Sequence, residues 1–289
     1  MGSSPSAAPT SASVVAGLSA RLRRRHSRGL EWSARTCLVT GATGGIGMAI
    51  ARRLHAEGAR LVITGRHEGR LANLASELGP PSQALAADLS RTGDVQGLAA
   101  RSGPVDVLVA GAGLPANGDL ADLPVEDITS AVDLNIRSTL VLTRLLLPAM
   151  LQRGSGHVVI IGSLAGLAST PRSSVYNASK FALRGFGHAL REELRGTGVG
   201  VSLVSPTFVS EAGMWADTGL RATHPEVTPE QVADACVEAL TRDRAEILVA
   251  PASQRLVTRL AGVFPELLQP VLRSSVVPPE AVLAQQAKR

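Results

Sequence analysis

From residue 36 to residue 250 the chain alternates short apolar runs with longer stretches of helical period. Thr36–Thr40 is one such run, without polar alternation, as expected of a strand buried on both faces of a parallel sheet. A glycine-punctuated turn follows, then a helical pattern, Met48–Glu57, closed by Gly58. Arg60–Thr64, Gln83–Ala87, Val105–Ala110, His157–Ile161, Val199–Val204 and Ala245–Ala250 read as further strands. Two long helical patterns, Val125–Met150 and Ser173–Arg195, lie between the later strands. Strand and helix alternating at this spacing predict an α/β fold: one doubly wound parallel sheet with helices on both faces. No linker or composition break divides residues 36–250.

The ends differ from this body. Residues 1–35 hold six arginines and one glutamate, whereas the remaining 254 residues carry 23 basic and 23 acidic groups. The net charge of +5 therefore belongs to the N-terminal segment, and a nucleic-acid-binding surface on a neutral body is not indicated. Seven serines, five arginines and no acid in residues 1–30 have the composition of an organelle transit segment. A disordered basic tail is the favoured reading, with a transit segment as the alternative. Cys37 and Cys236 fall in a predicted strand and helix, which points to a reducing compartment rather than a disulfide framework. A cytoplasmic location is expected, or an organellar one if residues 1–35 act as a transit segment. No run of 18 apolar residues occurs, so no transmembrane helix is expected. Residues 251–289 read as an apolar, proline-punctuated tail.

Candidate chemistry begins where the first strand ends, in Gly41-Ala-Thr-Gly-Gly45-Ile-Gly47. Strand, glycine turn and helix form the context of a dinucleotide site in a Rossmann-type sheet. Gly41 permits the tight turn, Gly45 the approach of a pyrophosphate, and Gly47 close helix packing; the helix N-terminus then meets the anion. The second strand runs into Gly65-Arg66 instead of an acid that would bind a ribose 2′-hydroxyl. An arginine there accommodates a 2′-phosphate, so Arg66 points to NADP(H).

Tyr176 is the sole tyrosine, and Lys180 is one of two lysines against 27 arginines. Four residues apart on a helix, they share one face. A cation near a phenol favours the phenolate and lowers its pKa from about 10. Ser163 ends an apolar run thirteen residues before Tyr176 and can present a hydroxyl to the same place. Taken alone, the pattern is equally that of an ordinary surface helix.

With Gly41, Gly45 and Gly47, Asn135, Ser163, Tyr176 and Lys180 in this order, the chain resembles the short-chain dehydrogenase/reductase family over about residues 36–250. The resemblance implies that Ser163 holds the substrate oxygen and Tyr176 passes its proton. Lys180 would lower the tyrosine pKa and grip the nicotinamide ribose, and Asn135 would hold a water in the proton relay. Cofactor contacts are implied from Gly41, Thr43, Gly45, Ile46, Gly47, Arg66, Gly111, Tyr176, Lys180 and Pro206, with Asp88 and Leu89 bordering the adenine. Two positions depart from the family pattern. Ala110-Gly111-Ala112-Gly113 lacks two usual asparagines, and Pro206-Thr207 replaces a usual Pro-Gly.

The expected function is NADP(H)-dependent interconversion of a carbonyl, a ketone or 3-oxoacyl group, and a secondary alcohol. A non-catalytic nucleotide binder or sensor on the same fold is the alternative. A sugar-nucleotide epimerase shares the Tyr and Lys but resembles longer chains. Met214 and Trp215, in an expected lid between Pro206 and Thr228, either point to a partly apolar substrate or, for Trp215, only pack the lid against the core. No His or Cys cluster has metal-ligand spacing, so no metal is expected. The two long helices carry more Leu, Val, Ala and Phe than one sheet face needs, and in the resembled family they pair across a two-fold axis. A homodimer or homotetramer is expected.

Overall fold

Cys37, Leu38 and Val39 have no solvent exposure, so the strand they form, β1 (Thr36–Thr40), is covered on both faces. Six more strands pack beside it: β2 (Arg60–Gly65), β3 (Gln83–Ala86), β4 (Val107–Ala110), β5 (Gly156–Ile161), β6 (Val199–Pro206) and β7 (Glu246–Val249). The computed structural model describes residues 31–210 and 226–273. Within them the strands pair in parallel in the order β3-β2-β1-β4-β5-β6-β7. The order reverses between β1 and β4, which opens a crevice at the carboxyl ends of the strands, where ligands of such sheets bind.

The helices are α1 (Gly45–Ala56), α2 (Glu68–Leu78), α3 (Thr92–Arg101), α4 (Val125–Arg153), α5 (Ser174–Glu193), α6 (Pro229–Arg242), α7 (Ala252–Val263) and α8 (Pro265–Arg273). α1 and α6 cover one face of the sheet together. On the other face Leu142, Leu146 and Met150 of α4 and Leu183 and Leu190 of α5 interdigitate with Leu108, Val158, Ile160 and Leu203. Local sequence explains several ends. Thr228 and Gln231 form a reciprocal capping box ahead of α6, and Pro229 occupies its first turn, where its missing N–H is not needed.

Three features depart from the sequence expectations. The long fourth helix contains a π-helical turn, Val132–Arg137, which includes Asn135; its i→i+5 hydrogen bonding takes one extra residue into the turn, and no residue type here announces it. α4 is also long and apolar enough to cross a membrane, the one such helix among the described residues, yet its Leu142, Leu146 and Met150 lie in the core. Finally, the described part of the stretch read as a tail forms α7 and α8. Pro265 does not break structure there; it starts α8. The N-terminal segment apart from its last residues, and the expected lid residues Met214 and Trp215, lie outside the described residues.

Candidate active site

The crevice between β1 and β4 is shaped for a backbone-lined ligand. Gly41 sits at φ +68, and a Cβ on Gly47 would come within 2.2 Å of the Gly41 carbonyl oxygen. Only glycines let α1 start this close to the end of β1. Gly44 caps α1 with no side-chain hydrogen bond, and the first turn contains no acid. The N–H groups of that turn are left for an anion. Thr43 packs its side chain over Gly65, where a Cβ would meet Thr43 Oγ1 at 2.9 Å. Arg66, directly beyond, is exposed and holds no ion pair among the described residues. These residues fit a dinucleotide bearing an extra phosphate on its ribose.

Thr40 contributes a contact that the sequence reading passed over. Its Oγ1 accepts hydrogen bonds from the N–H of Gly111 and of Ala112, both at 3.0 Å. The loop after β4 is therefore pinned by a hydroxyl from β1, although its two usual asparagines are missing. Asp88, after β3, accepts from the N–H and hydroxyl of Ser90 through one carboxylate oxygen. Leu89 is turned into the core beside Val95 and Leu98, so only its backbone is placed to border a ligand. Pro206 ends β6 opposite Val249, and the following Thr207 N–H bonds to the Val249 carbonyl at 3.0 Å. Proline is tolerated at such a strand end, and this turn holds without a glycine.

The second half of the site lies at the end of β5. Ser163 caps a 3-10 turn, Leu164–Gly166, its Oγ accepting from the Ala165 N–H at 3.1 Å. The same hydroxyl faces Tyr176, which projects from the first turn of α5. The turn can press against α5 because residue 166 is glycine; a Cβ would come within 2.7 Å of the Lys180 carbonyl oxygen. Lys180 is 5% exposed, donates from Nζ to the Ile161 carbonyl at 3.0 Å, and lies 5.6 Å from the Tyr176 ring centroid. Sequence placed these three side chains together, and the fold does so.

Burial dominates the electrostatics of the pair. It pushes the Tyr176 phenol above its ordinary value, and the Ser163 hydroxyl only opposes this. The same burial brings Lys180 from 10.5 down to about 8. Desolvation disfavours the charged form of each group. In this arrangement the phenol is a protonated donor at neutral pH beside a cation close to losing its own proton.

Asn135 is fully buried, and its side chain is spoken for. Oδ1 accepts from Leu114 N–H at 2.8 Å, while Nδ2 donates to the Leu114 carbonyl at 3.0 Å and to Ser179 Oγ at 3.2 Å. Ser179 donates in turn to the Tyr176 carbonyl at 2.7 Å. The amide thus couples the loop after β4 to the first turn of α5. Asn177, which no motif singled out, does similar work. Its Nδ2 donates to the carbonyls of Ala165 at 2.8 Å and Ala168 at 3.2 Å, tying the Ser163 turn to the tyrosine helix. Asn177→Ala leaves those carbonyls without this donor. It is expected to cost about 1–3 kcal/mol of stability and to lower kcat more than it weakens cofactor binding, read by urea denaturation and steady-state kinetics.

The comparisons agree with this geometry. The family model described as short chain dehydrogenase matches residues 35–221, and the chain belongs to the short-chain dehydrogenase/reductase family. It is 39% identical over 226 residues to the ketoacyl reductase HetN of Nostoc sp., covering 74% of this chain and 78% of that one. A short-chain dehydrogenase from Sphingobium yanoikuyae in complex with NADPH superposes with a TM-score of 0.71 at 28% identity, covering 81% of this chain and 95% of that one. A variant of the actinorhodin polyketide ketoreductase with NADPH gives a TM-score of 0.68 at 32% identity, covering 75% and 95%. The protein is an oxidoreductase of this family.

Proposed function

We propose that the protein is an NADP(H)-dependent reductase of ketones or 3-oxoacyl groups, with Tyr176 as proton donor. The convergence of Ser163, Tyr176 and the buried Lys180 ammonium at the end of β5 is the observation that carries this reading. When bound, the reduced nicotinamide supplies a hydride to the carbonyl carbon. Negative charge then develops on the carbonyl oxygen, which Ser163 Oγ holds by hydrogen bonding while Tyr176 delivers its proton. Lys180 stabilises the phenolate that remains. Relatives and neighbours named as ketoacyl and polyketide ketoreductases support an oxoacyl-type substrate. A panel of ketones, 3-oxoacyl thioesters and secondary alcohols, followed by absorbance of the reduced cofactor, tests the reading. Cofactor binding without turnover of any class would make the protein a nucleotide binder instead.

Arg66 is assigned to the 2′-phosphate. Arg66→Asp is expected to remove about 1.5–3 kcal/mol of NADPH affinity, the worth of a hydrogen bond to a charged group. Equal dissociation constants for NADH and NADPH in the unaltered protein would exclude the assignment.

Assembly follows from the outer sides of α4 and α5. Val132, Leu145, Leu151 and Phe181 are exposed there. A homodimer or homotetramer closed across these helices would bury them. Light scattering that reports a mass near 30 kDa at micromolar concentration would refute it.

A further inference from the structure

The helix pair α7–α8 is apolar on both of its sides. The inner side is ordinary: Thr258 and Ala261 are buried, and Gly262 backs onto the Leu167 carbonyl, which a Cβ would meet at 3.0 Å. On the outer side Leu256, Leu260 and Val263 follow one another at i, i+4 and i+7, which sets them on one stripe of α7. Phe264 and Leu267 carry that stripe across the turn into α8. These five side chains are between 41% and 73% exposed. Single exposed leucines are normal in soluble proteins, but a contiguous apolar patch marks an interaction surface.

The charge around the stripe narrows the partner. Arg255 and Arg259 are exposed along α7 and Arg273 at the end of α8, against Glu266 alone, giving three positive groups and one negative, or +2. Over residues 36–289 as a whole the charges cancel. A second copy docked face to face would bring two surfaces of net charge +2 together, a like-charge contact that disfavours such pairing. An apolar stripe with a basic margin instead has the make-up of an element that lies in the headgroup plane of an anionic bilayer. Apolar side chains reach the acyl boundary there, and arginines meet the phosphates.

Location gives such docking a consequence. α7 follows β7 at the carboxyl edge of the sheet and leans on Leu167, the residue directly after the turn that Ser163 caps. We propose that α7–α8 is a membrane-docking element that seats the enzyme on anionic lipid with the Ser163 side of the site close to the bilayer. An apolar substrate carried in that bilayer would then reach the site without crossing water.

The test uses the full chain with vesicles of phosphatidylcholine alone and with about 30% phosphatidylglycerol. Binding is expected on the anionic vesicles, weakened by salt, and much poorer on the neutral ones. Leu260→Ser with Phe264→Ser changes only exposed positions and is expected to lower vesicle binding by roughly tenfold or more. Turnover of a water-soluble ketone, read in the same samples, should not change, so failed docking is distinguishable from a failed reductase assignment. Arg255→Gln with Arg259→Gln should erase the preference for anionic lipid. A Phe264→Trp variant should be quenched by lipids brominated on their acyl chains. The proposal is overturned by absence of binding to either vesicle, or by an unquenched tryptophan at residue 264. It is overturned too if binding survives the Leu260 and Phe264 changes but disappears when Arg21, Arg23, Arg24, Arg25 and Arg28 become Gln, which assigns it to the N-terminal segment. A fall in solution mass caused by the Leu260 and Phe264 changes would assign the face to a second copy of the chain.

Discussion

Tyr176→Phe is expected to lower turnover by about 10²–10⁴-fold, the usual worth of a positioned acid–base group, while leaving NADPH binding and folding intact. The ring keeps its packing and only the hydroxyl, which faces Ser163, is lost. Among the described residues there is no second tyrosine to take its place, and the sequence contains none. Burial holds the phenol protonated across neutral pH, which suits a donor in the reductive direction. In the oxidative direction the same group must first lose its proton, so that rate should climb as pH rises above neutrality. Stopped-flow or steady-state absorbance on a good substrate decides the matter. A Tyr176→Phe enzyme with near-normal turnover would place the proton donor elsewhere.

Lys180→Met should abolish most of the activity and yet stabilise the protein at pH 7. The ammonium is 5% exposed and has one protein hydrogen bond among the described residues, to the Ile161 carbonyl. Desolvation brings its pKa from 10.5 to about 8. The unfolded chain keeps the proton up to the higher value, and the folded chain releases it at the lower one. Between those values the unfolded state holds more protons, so stability from this group grows as pH rises through about 8 towards 10.5 and is lost as pH falls back. At pH 7 the buried charge is a net cost, on the order of 3 kcal/mol from a shift of this size. Methionine has similar volume and no charge, so denaturant midpoints at pH 7 should rise, and the gain should shrink by pH 9.5. A variant less stable at pH 7 would show that the ammonium's contacts outweigh its desolvation. Reductase activity of the unaltered enzyme should decline as pH rises through about 8, where the cation beside Tyr176 is lost.

Much of the architecture was legible before any coordinates. β1 matched its predicted bounds, and the other strands differed only by a residue or two at their ends. Apolar runs and helical periods are local signals, and a parallel sheet buried on both faces writes them strongly. The glycine turn, Ser163, Tyr176 and Lys180 were readable for a related reason. Their chemistry depends on residue type and on spacing within one element or its immediate neighbours. What the sequence did not disclose depends on contacts between distant positions or on burial. Thr40 meets the loop after β4 across 71 residues, and Asn135 meets Ser179 across 44. Neither pairing has a local pattern that could announce it. The directions of the Tyr176 and Lys180 pKa values follow from how much water the finished fold excludes, which spacing does not encode. The proline-punctuated tail was given no helical reading, yet Pro265 starts α8 and Pro270 lies inside it, so local pattern alone did not disclose these helices. Sequence thus offered the groups of the candidate site and the turns and helices that carry them. Tertiary structure alone decided what holds them in register, which proton each keeps, and that α7–α8 presents an apolar, arginine-edged face.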